Sequence, residues 1–174
     1  MIEALIEATK VEVFKDSTEP FSTPMPRKHV LIVGGGYLGE LSQMVNQYAV
    51  TTTILIPTQT PKLDLEYETE KAAKFEEDHQ KHCRGFGIAR DLSGVDTDSV
   101  DVLIVASLHG EIRETFLSQA WRVVRELGKV VVFANHEVPL SYLGEYGMAG
   151  PVRFPVEGFY VGSMRKASAV RAQN

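Results

Sequence analysis

The stretch from His29 to Gly39, HVLIVGGGYLG, constrains the fold more than any other part of this sequence. Five apolar or nearly apolar residues lead directly into a G-x-G-x-x-G turn at Gly34, Gly36 and Gly39. Apolar residues then recur at helical spacing as far as Tyr48, which predicts a helix over 38–48. A buried strand, a glycine turn and a helix in this order collect backbone N–H groups at a helix N-terminus, where the phosphates or polar groups of a nucleotide cofactor bind.

Strand and helix patterns alternate along the rest of the chain. The strand-like segments are apolar or β-branched, and they lie at 51–56, 85–90, 100–107 and 130–134. Helices are predicted at 67–82 and 111–126, with Gly128 ending the second. This alternation predicts a three-layer, Rossmann-like α/β fold with a mostly parallel sheet. Two short strands, at 152–154 and 159–164, predict a C-terminal antiparallel hairpin that closes the sheet.

The chain divides into a short leading segment and one larger domain. Residues 1–28 include a loop with three prolines, and they are predicted to form an N-terminal cap that either covers the ligand or only packs on the core. Residues 29–174 are predicted to form the Rossmann-like cofactor-binding domain.

The composition limits which classes of substrate and partner are expected for this chain. The net charge of −5 argues against a nucleic-acid substrate and leaves a small molecule or a protein as the substrate. The single cysteine excludes an internal disulfide and favours a reducing, cytoplasmic location. No apolar run approaches the roughly 20 residues that span a bilayer, so no membrane association is predicted. The sequence leaves open whether the chain forms a homo-oligomer.

Three stretches resemble the class I S-adenosylmethionine-dependent methyltransferase superfamily. HVLIVGGGYLGEL is similar to the glycine-rich cofactor loop, SVDVLIVASLHGEIRETFLSQAWRVVRELGKVVVF to the fourth strand, fourth helix and fifth strand, and GFYVGSMRK to the antiparallel last strand. The resemblance covers most of residues 29–166. It implies S-adenosylmethionine as the cofactor and methyl transfer to a small molecule or a protein side chain.

The cofactor is expected in the crevice outside the C-terminal strand ends. The resemblance implies cofactor contacts there from Gly34, Gly36, Tyr37, Gly39, Thr58, Asp91 and Ser107. Asp91 would contact the adenine amine. Ser107 would offer its hydroxyl to the cofactor, or else it would be the N-cap of the following helix.

Two departures from the family pattern keep alternatives open. Ile32 stands where the family has an acid. The second strand ends in Pro57-Thr58-Gln59, without the carboxylate that binds the ribose hydroxyls in the family. One alternative is an NAD(P)-binding oxidoreductase module, although its expected acid about 20 residues after the turn is also missing. The other is a catalytically lapsed methyltransferase-like domain that serves in protein assembly.

No catalytic residue is assigned from the sequence. His109 is expected to face the crevice, either as a general base or substrate-orienting group, or as a loop residue without a chemical role. His79, His82 and Cys83 are interpreted as helix-end residues and not as a metal site.

Overall fold

The computed structural model describes residues 28–39, 50–107, 109–134, 148–156 and 159–166. The predicted N-terminal cap lies outside these residues, apart from Lys28. All but the first two residues of the predicted helix 38–48 also lie outside them. Leu38 and Gly39 are helical, as predicted for the start of that helix.

The described residues form seven strands and three helices. The strands are β1 Lys28–Val33, β2 Val50–Pro57, β3 Cys83–Ala89, β4 Val100–Val105, β5 Val124–Ala134, β6 Met148–Val156 and β7 Phe159–Lys166. The helices are α1 Lys62–Asp78, α2 Gly110–Leu117 and α3 Ala120–Val123. No helix in this part of the chain is long and apolar enough to cross a membrane.

The seven strands form one sheet in the order β3-β2-β1-β4-β5-β7-β6. Strands β1 to β5 pair in parallel, whereas β7 runs antiparallel to both β5 and β6. The predicted mostly parallel sheet with a C-terminal antiparallel hairpin is therefore confirmed. The strand order reverses between β1 and β4, which makes the carboxyl ends of these two strands the topological switch point.

Helices pack on both faces of the sheet. Alternate residues of the central strands point to opposite faces, so each central strand contributes side chains to two separate clusters. Val30 and Ile32 of β1 share one buried cluster with Ala72 and Phe75 of α1. The intervening strand residues share a second cluster with α2 and α3. Both clusters are almost fully excluded from solvent, as the continuous apolar strands predict.

Helix α1 begins at Lys62, five residues before the predicted start at 67, and it ends at Asp78. Leu63 and Tyr67 in its first turns are 80% and 53% exposed, so the apolar residues that usually reveal a helix start do not face the core here. Pro61 stands immediately before the first helical residue. His79, predicted as a helix-end residue, is the C-cap and donates its N–H to the Phe75 carbonyl.

The predicted helix 111–126 is wrong in its second half. Helix α2 ends at Leu117, α3 ends at Val123, and β5 begins at Val124, which pairs with Val100 of β4. The next pair along the ladder joins Lys129 to Val102, so residues 125–128 form a bulge. Gly128 lies in this bulge and does not end a helix. A Cβ at Gly128 would be 2.8 Å from the Asp101 carbonyl oxygen, so the close approach of β4 favours glycine at this position. Pairing with β4 overrides the helical pattern of these residues.

Candidate cofactor crevice

The switch point brings three segments together at one edge of the sheet. The glycine turn follows β1, the 106–109 loop follows β4, and α1 approaches from the connection after β2. This is the position where open α/β sheets bind ligands.

Gly34 joins the ends of β1, β2 and β4. Its φ is +98°, and its N–H donates to the carbonyl of Leu55 at 2.9 Å. A Cβ at this position would lie 3.2 Å from the carbonyl carbon of Ala106 and 3.3 Å from the nitrogen of Ser107. The left-handed backbone and the close approach of β4 both require glycine here.

Gly35 lies directly against α1. A Cβ at Gly35 would stand 2.6 Å from the Glu68 carbonyl oxygen and 2.8 Å from the Glu68 Cβ. The Glu68 carboxylate accepts a hydrogen bond from the Gly35 backbone. Burial raises the pKa of Glu68, and this hydrogen bond opposes the shift, while Asp64 raises the pKa further. An acidic side chain of the protein therefore covers part of the glycine turn.

The predicted cluster of open amides is only partly present. The Gly34 and Gly35 amides donate to Leu55 and Glu68, and the Leu38 amide donates weakly to the Gly35 carbonyl at 3.4 Å. The sequence pattern does not reveal this, because it places Glu68 in a helix without showing that this helix packs on the glycine turn. Three of the donors that a phosphate would need are already used inside the protein.

The other residues of the turn have different surroundings. Gly36 and Gly39 are exposed. A Cβ at Gly36 would be 3.9 Å from Glu68 Oε1, whereas no described atom lies within 4 Å of a Cβ at Gly39. Tyr37 is half-buried and stacks on Phe133 of β5, with 5.8 Å between the ring centroids. Tyr37 thus connects the turn to β5, while Gly36 is the glycine that faces solvent beside Glu68.

Thr58 and Asp91 follow the ends of the neighbouring strands β2 and β3. The Thr58 N–H donates to the carbonyl of Ala89 at 3.0 Å, and Thr58 itself is exposed. Gln59 Nε2 donates to the carbonyl of Arg90 at 2.8 Å. Asp91 accepts the N–H of Ser93 at 2.8 Å, and its hydrogen bonds from Ser93 lower the pKa of Asp91. This part of the edge offers hydroxyl, amide and carboxylate groups.

Ser107 is buried, and its hydroxyl and carbonyl oxygens accept hydrogen bonds that stabilise the segment after β4. Its Oγ accepts the N–H of His109 at 3.2 Å, and its carbonyl accepts a hydrogen bond from Arg113 Nη1 at 2.8 Å. The alternative that Ser107 is the N-cap of the next helix is wrong, because His109 holds that position in α2. The serine hydroxyl instead stabilises the turn that leads to the cap.

The His109 side chain points towards α1. Its Nε2 lies 3.5 Å from Oδ2 of Asp64, and the two side chains are 44% and 59% exposed. Asp64 and Glu68 are four residues apart and so share one face of α1. These two acids and Arg113 were missed from the sequence. The i, i+4 spacing would have revealed the acids if the start of α1 had been placed at Lys62.

No protein-family model and no curated protein sequence matches this chain. Similar solved structures exist at low identity. An O-methyltransferase family protein from Burkholderia thailandensis has a TM-score of 0.63 and 12% identity, with coverage of 97% of this chain and 59% of that protein. The cyclase SpnF has a TM-score of 0.66 and 10% identity, with coverage of 97% and 80%.

A SAM-dependent methyltransferase from Aquifex aeolicus has a TM-score of 0.56 and 18% identity, with coverage of 94% of this chain and 95% of that protein. The chain therefore spans 95% of the length of one similar structure but only 59% of another. These likenesses agree with the strand order, in which β7 runs antiparallel between β5 and β6. The chain has the class I methyltransferase-like fold.

Proposed function

We propose that this chain binds S-adenosylmethionine in the crevice between the glycine turn and the 106–109 loop, and that it transfers the methyl group to a small molecule or a protein side chain. The observation that supports this most is the close packing of Glu68 on Gly35, where a Cβ would lie 2.6 Å from the Glu68 carbonyl oxygen, at the switch point of a methyltransferase-like sheet. The Glu68 carboxylate and Asp64 make one side of the crevice acidic.

An acidic crevice favours a cationic ligand. The methionine end of S-adenosylmethionine carries a sulfonium, an ammonium and a carboxylate, a net charge of one positive unit, whereas the pyrophosphate of NAD carries two negative charges. Two unit charges about 4 Å apart interact by about 1 kcal/mol in water and by about 4 kcal/mol in a site of intermediate polarity. Repulsion of this size lowers dinucleotide affinity by about fivefold to about 1,000-fold. The charge of Glu68 therefore favours the sulfonium ligand over NAD(P).

The residues at the ends of β2 and β3 fit the adenosine half. Thr58 and Gln59 offer neutral groups to the ribose hydroxyls, in place of the carboxylate that the family usually has there. Asp91 remains an acceptor for the adenine amine, because its hydrogen bonds from Ser93 favour the ionised form. When bound, the cofactor would supply an electrophilic methyl group, and the protein would contribute mainly by holding the two reactants in line.

The sheet topology also weighs against the oxidoreductase alternative. The usual dinucleotide-binding order is 3-2-1-4-5-6 in a parallel sheet. In this chain an antiparallel β7 lies between β5 and β6. The assembly alternative differs from the proposed function only in turnover, so binding and methyl transfer must be measured separately.

Isothermal titration calorimetry of the full chain with S-adenosylmethionine, S-adenosylhomocysteine and NAD tests this function. We expect both adenosyl compounds to bind and NAD not to bind. Glu68→Gln should weaken S-adenosylmethionine more than the uncharged-sulfur product, since only the former has a sulfonium. Glu66→Gln is the matched control, because Glu66 is exposed on the same helix and lies on a different face.

Tighter binding of NAD than of either adenosyl compound would overturn the proposal in favour of the oxidoreductase. The absence of binding by all three would overturn it as well. Tight S-adenosylmethionine binding with no methylation of any acceptor would favour the assembly alternative.

A further inference from the structure

The connection between β3 and β4 is short for the distance that it covers. Only residues 90–99 join the two strands, and they contain no helix. The sheet order β3-β2-β1-β4 means that the connection crosses three inter-strand spacings of about 4.8 Å each and also runs back along the sheet. Parallel strands usually need a dozen or more residues for such a crossover, most often with a helix. A connection without a helix has to be fixed by the elements beside it.

Arg122 of α3 fixes the middle of this connection. Its Nη2 donates to the carbonyl of Leu92 at 2.7 Å, and its Nη1 donates to the carbonyl of Val95 at 2.8 Å. The carbonyl of Arg122 in turn accepts the N–H of Asp98 at 2.9 Å. A guanidinium is planar, and its donors diverge in fixed directions, so two hydrogen bonds from one side chain set both the position and the direction of the backbone that they hold.

The hydrogen bond to Leu92 lies next to Asp91. The Leu92 side chain is fully buried in the second cluster, and the Leu92 carbonyl is held by Arg122. Asp91 Oδ1 accepts the N–H of Ser93 at 2.8 Å, so the carboxylate is folded around the residue that Arg122 holds. Hydrogen bonds from Ser93 lower the pKa of Asp91, and Gln119, the N-cap residue of α3, contributes in the same direction. The start and the last turn of α3 therefore both act on the turn that carries this carboxylate.

We infer that Arg122 is a positioning residue for recognition of the cofactor base: by holding the Leu92 carbonyl, it places the Asp91 carboxylate where that group accepts a hydrogen bond from the adenine amine. This inference rests on the proposed function, in which Asp91 is the acceptor for the amine. Hypoxanthine has a carbonyl oxygen in place of that amine and has no proton to donate there. The site should therefore prefer adenine to hypoxanthine, and the preference should depend on Arg122, whose own donors are used inside the protein.

Isothermal titration calorimetry of the full chain with S-adenosylhomocysteine and S-inosylhomocysteine measures this preference. The wild type should bind the adenosyl compound about 10–100-fold more tightly, which is the effect of one hydrogen bond to a charged acceptor. Arg122→Met keeps an apolar stem and removes the donors, and it should lower that ratio by about tenfold. Arg122→Lys, with one ammonium in place of the fork, should give an intermediate ratio.

Arg125→Met is the matched control. Arg125 Nε donates to the carbonyl of Asp98 at 3.0 Å, at the other end of the same connection, so its removal should leave the ratio at the wild-type value. Equal weakening of both ligands in Arg122→Met, with the ratio unchanged, would mean that Arg122 only stabilises the fold and would overturn the inference. A ratio that falls as far in Arg125→Met as in Arg122→Met would also overturn it.

The titration of the Asp91 carboxyl group, followed by NMR without ligand, tests the positioning separately. The pKa of Asp91 should rise in Arg122→Met, because the hydrogen bonds from Ser93 loosen, and it should keep the wild-type value in Arg125→Met. An Asp91 pKa that Arg122→Met leaves unchanged would overturn the inference. If the wild type binds neither ligand while the Asp91 titration still depends on Arg122, the proposed function is overturned together with base recognition, and Arg122 is left only as the residue that places Asp91.

Discussion

Replacing Gly35 with alanine tests how closely α1 packs on the glycine turn. The added Cβ would lie 2.6 Å from the Glu68 carbonyl oxygen, 2.8 Å from its Cβ and 2.9 Å from its Cα. A carbon does not approach nonbonded atoms this closely, so either the turn or α1 must move. Two of the three atoms belong to the backbone, and rotating the Glu68 side chain cannot relieve the contact.

The cost of the substitution follows from this overlap. Inserting a carbon into a packed interface costs about 1–3 kcal/mol, and a clash with backbone belongs in the upper half of that range. The smaller conformational freedom of alanine in the unfolded chain returns about 0.4–1 kcal/mol. The net loss in the free energy of unfolding is about 2 kcal/mol. For a chain of this length, that corresponds to a fall in Tm of about 4–8 °C.

Urea denaturation of Gly35→Ala and Gly36→Ala measures the effect against a matched neighbour. A Cβ at Gly36 would lie 3.9 Å from Glu68 Oε1, which is an ordinary contact. We expect Gly36→Ala to change the free energy of unfolding by less than about 0.5 kcal/mol. If the two variants are equally stable, α1 does not pack on Gly35 and the acidic wall of the crevice is wrongly placed.

Three other substitutions probe charge and strain. Burial raises the pKa of Glu68, so the folded chain binds its proton more tightly than the unfolded chain, and wild-type stability falls as pH rises through the range just above 4.5. Glu68→Gln should therefore raise Tm at pH 7 and lose that advantage near pH 4 in thermal melts. Burial lowers the pKa of His29 below 6.5, so its contribution is complete above that pH and is lost as pH falls below it. His29→Asn should flatten the fall in wild-type stability between pH 6.5 and more acid conditions. Leu127 has φ +62° and is 59% exposed, so Leu127→Gly should stabilise the chain by up to about 1 kcal/mol in urea denaturation.

For each of these three variants, a specific measurement would contradict the expected change in stability. A lower Tm for Glu68→Gln at pH 7 would mean that the hydrogen bond from Gly35 outweighs the burial of the charge. If His29→Asn leaves the loss of wild-type stability at acid pH unchanged, another group is responsible for that loss. Leu63→Gly, in the exposed first turn of α1, should lose about 1 kcal/mol, and a similar loss in Leu127→Gly would exclude strain at Leu127.

Much of the fold could be predicted because the central strands are apolar on both faces. A continuous apolar run such as VDVLIV is typical of a strand between two helical layers, and β4 lies at Val100–Val105 as that pattern predicts. The C-terminal hairpin was predicted from its two short strands and is confirmed by the pairing of β6 with β7. Local pattern and tertiary structure agree in these segments.

The errors lie where tertiary contacts outweigh local pattern. The start of α1 was misplaced because its first turns expose Leu63 and Tyr67, and the end of α3 was misplaced because pairing with β4 draws residues after Val123 into a strand. Gly34 was identified from the glycine spacing, whereas Gly35 and Glu68 could not be paired without knowing where α1 lies.

Amide chemical-shift mapping during a titration with S-adenosylmethionine tests the proposed binding site most directly. We predict saturable shifts for Gly36 and His109 at the switch point and for Thr58 and Asp91 at the ends of β2 and β3, with no comparable shifts when NAD is added. Shifts confined to other parts of the chain, or none at all at saturating ligand, would contradict the placement of a sulfonium cofactor in this crevice.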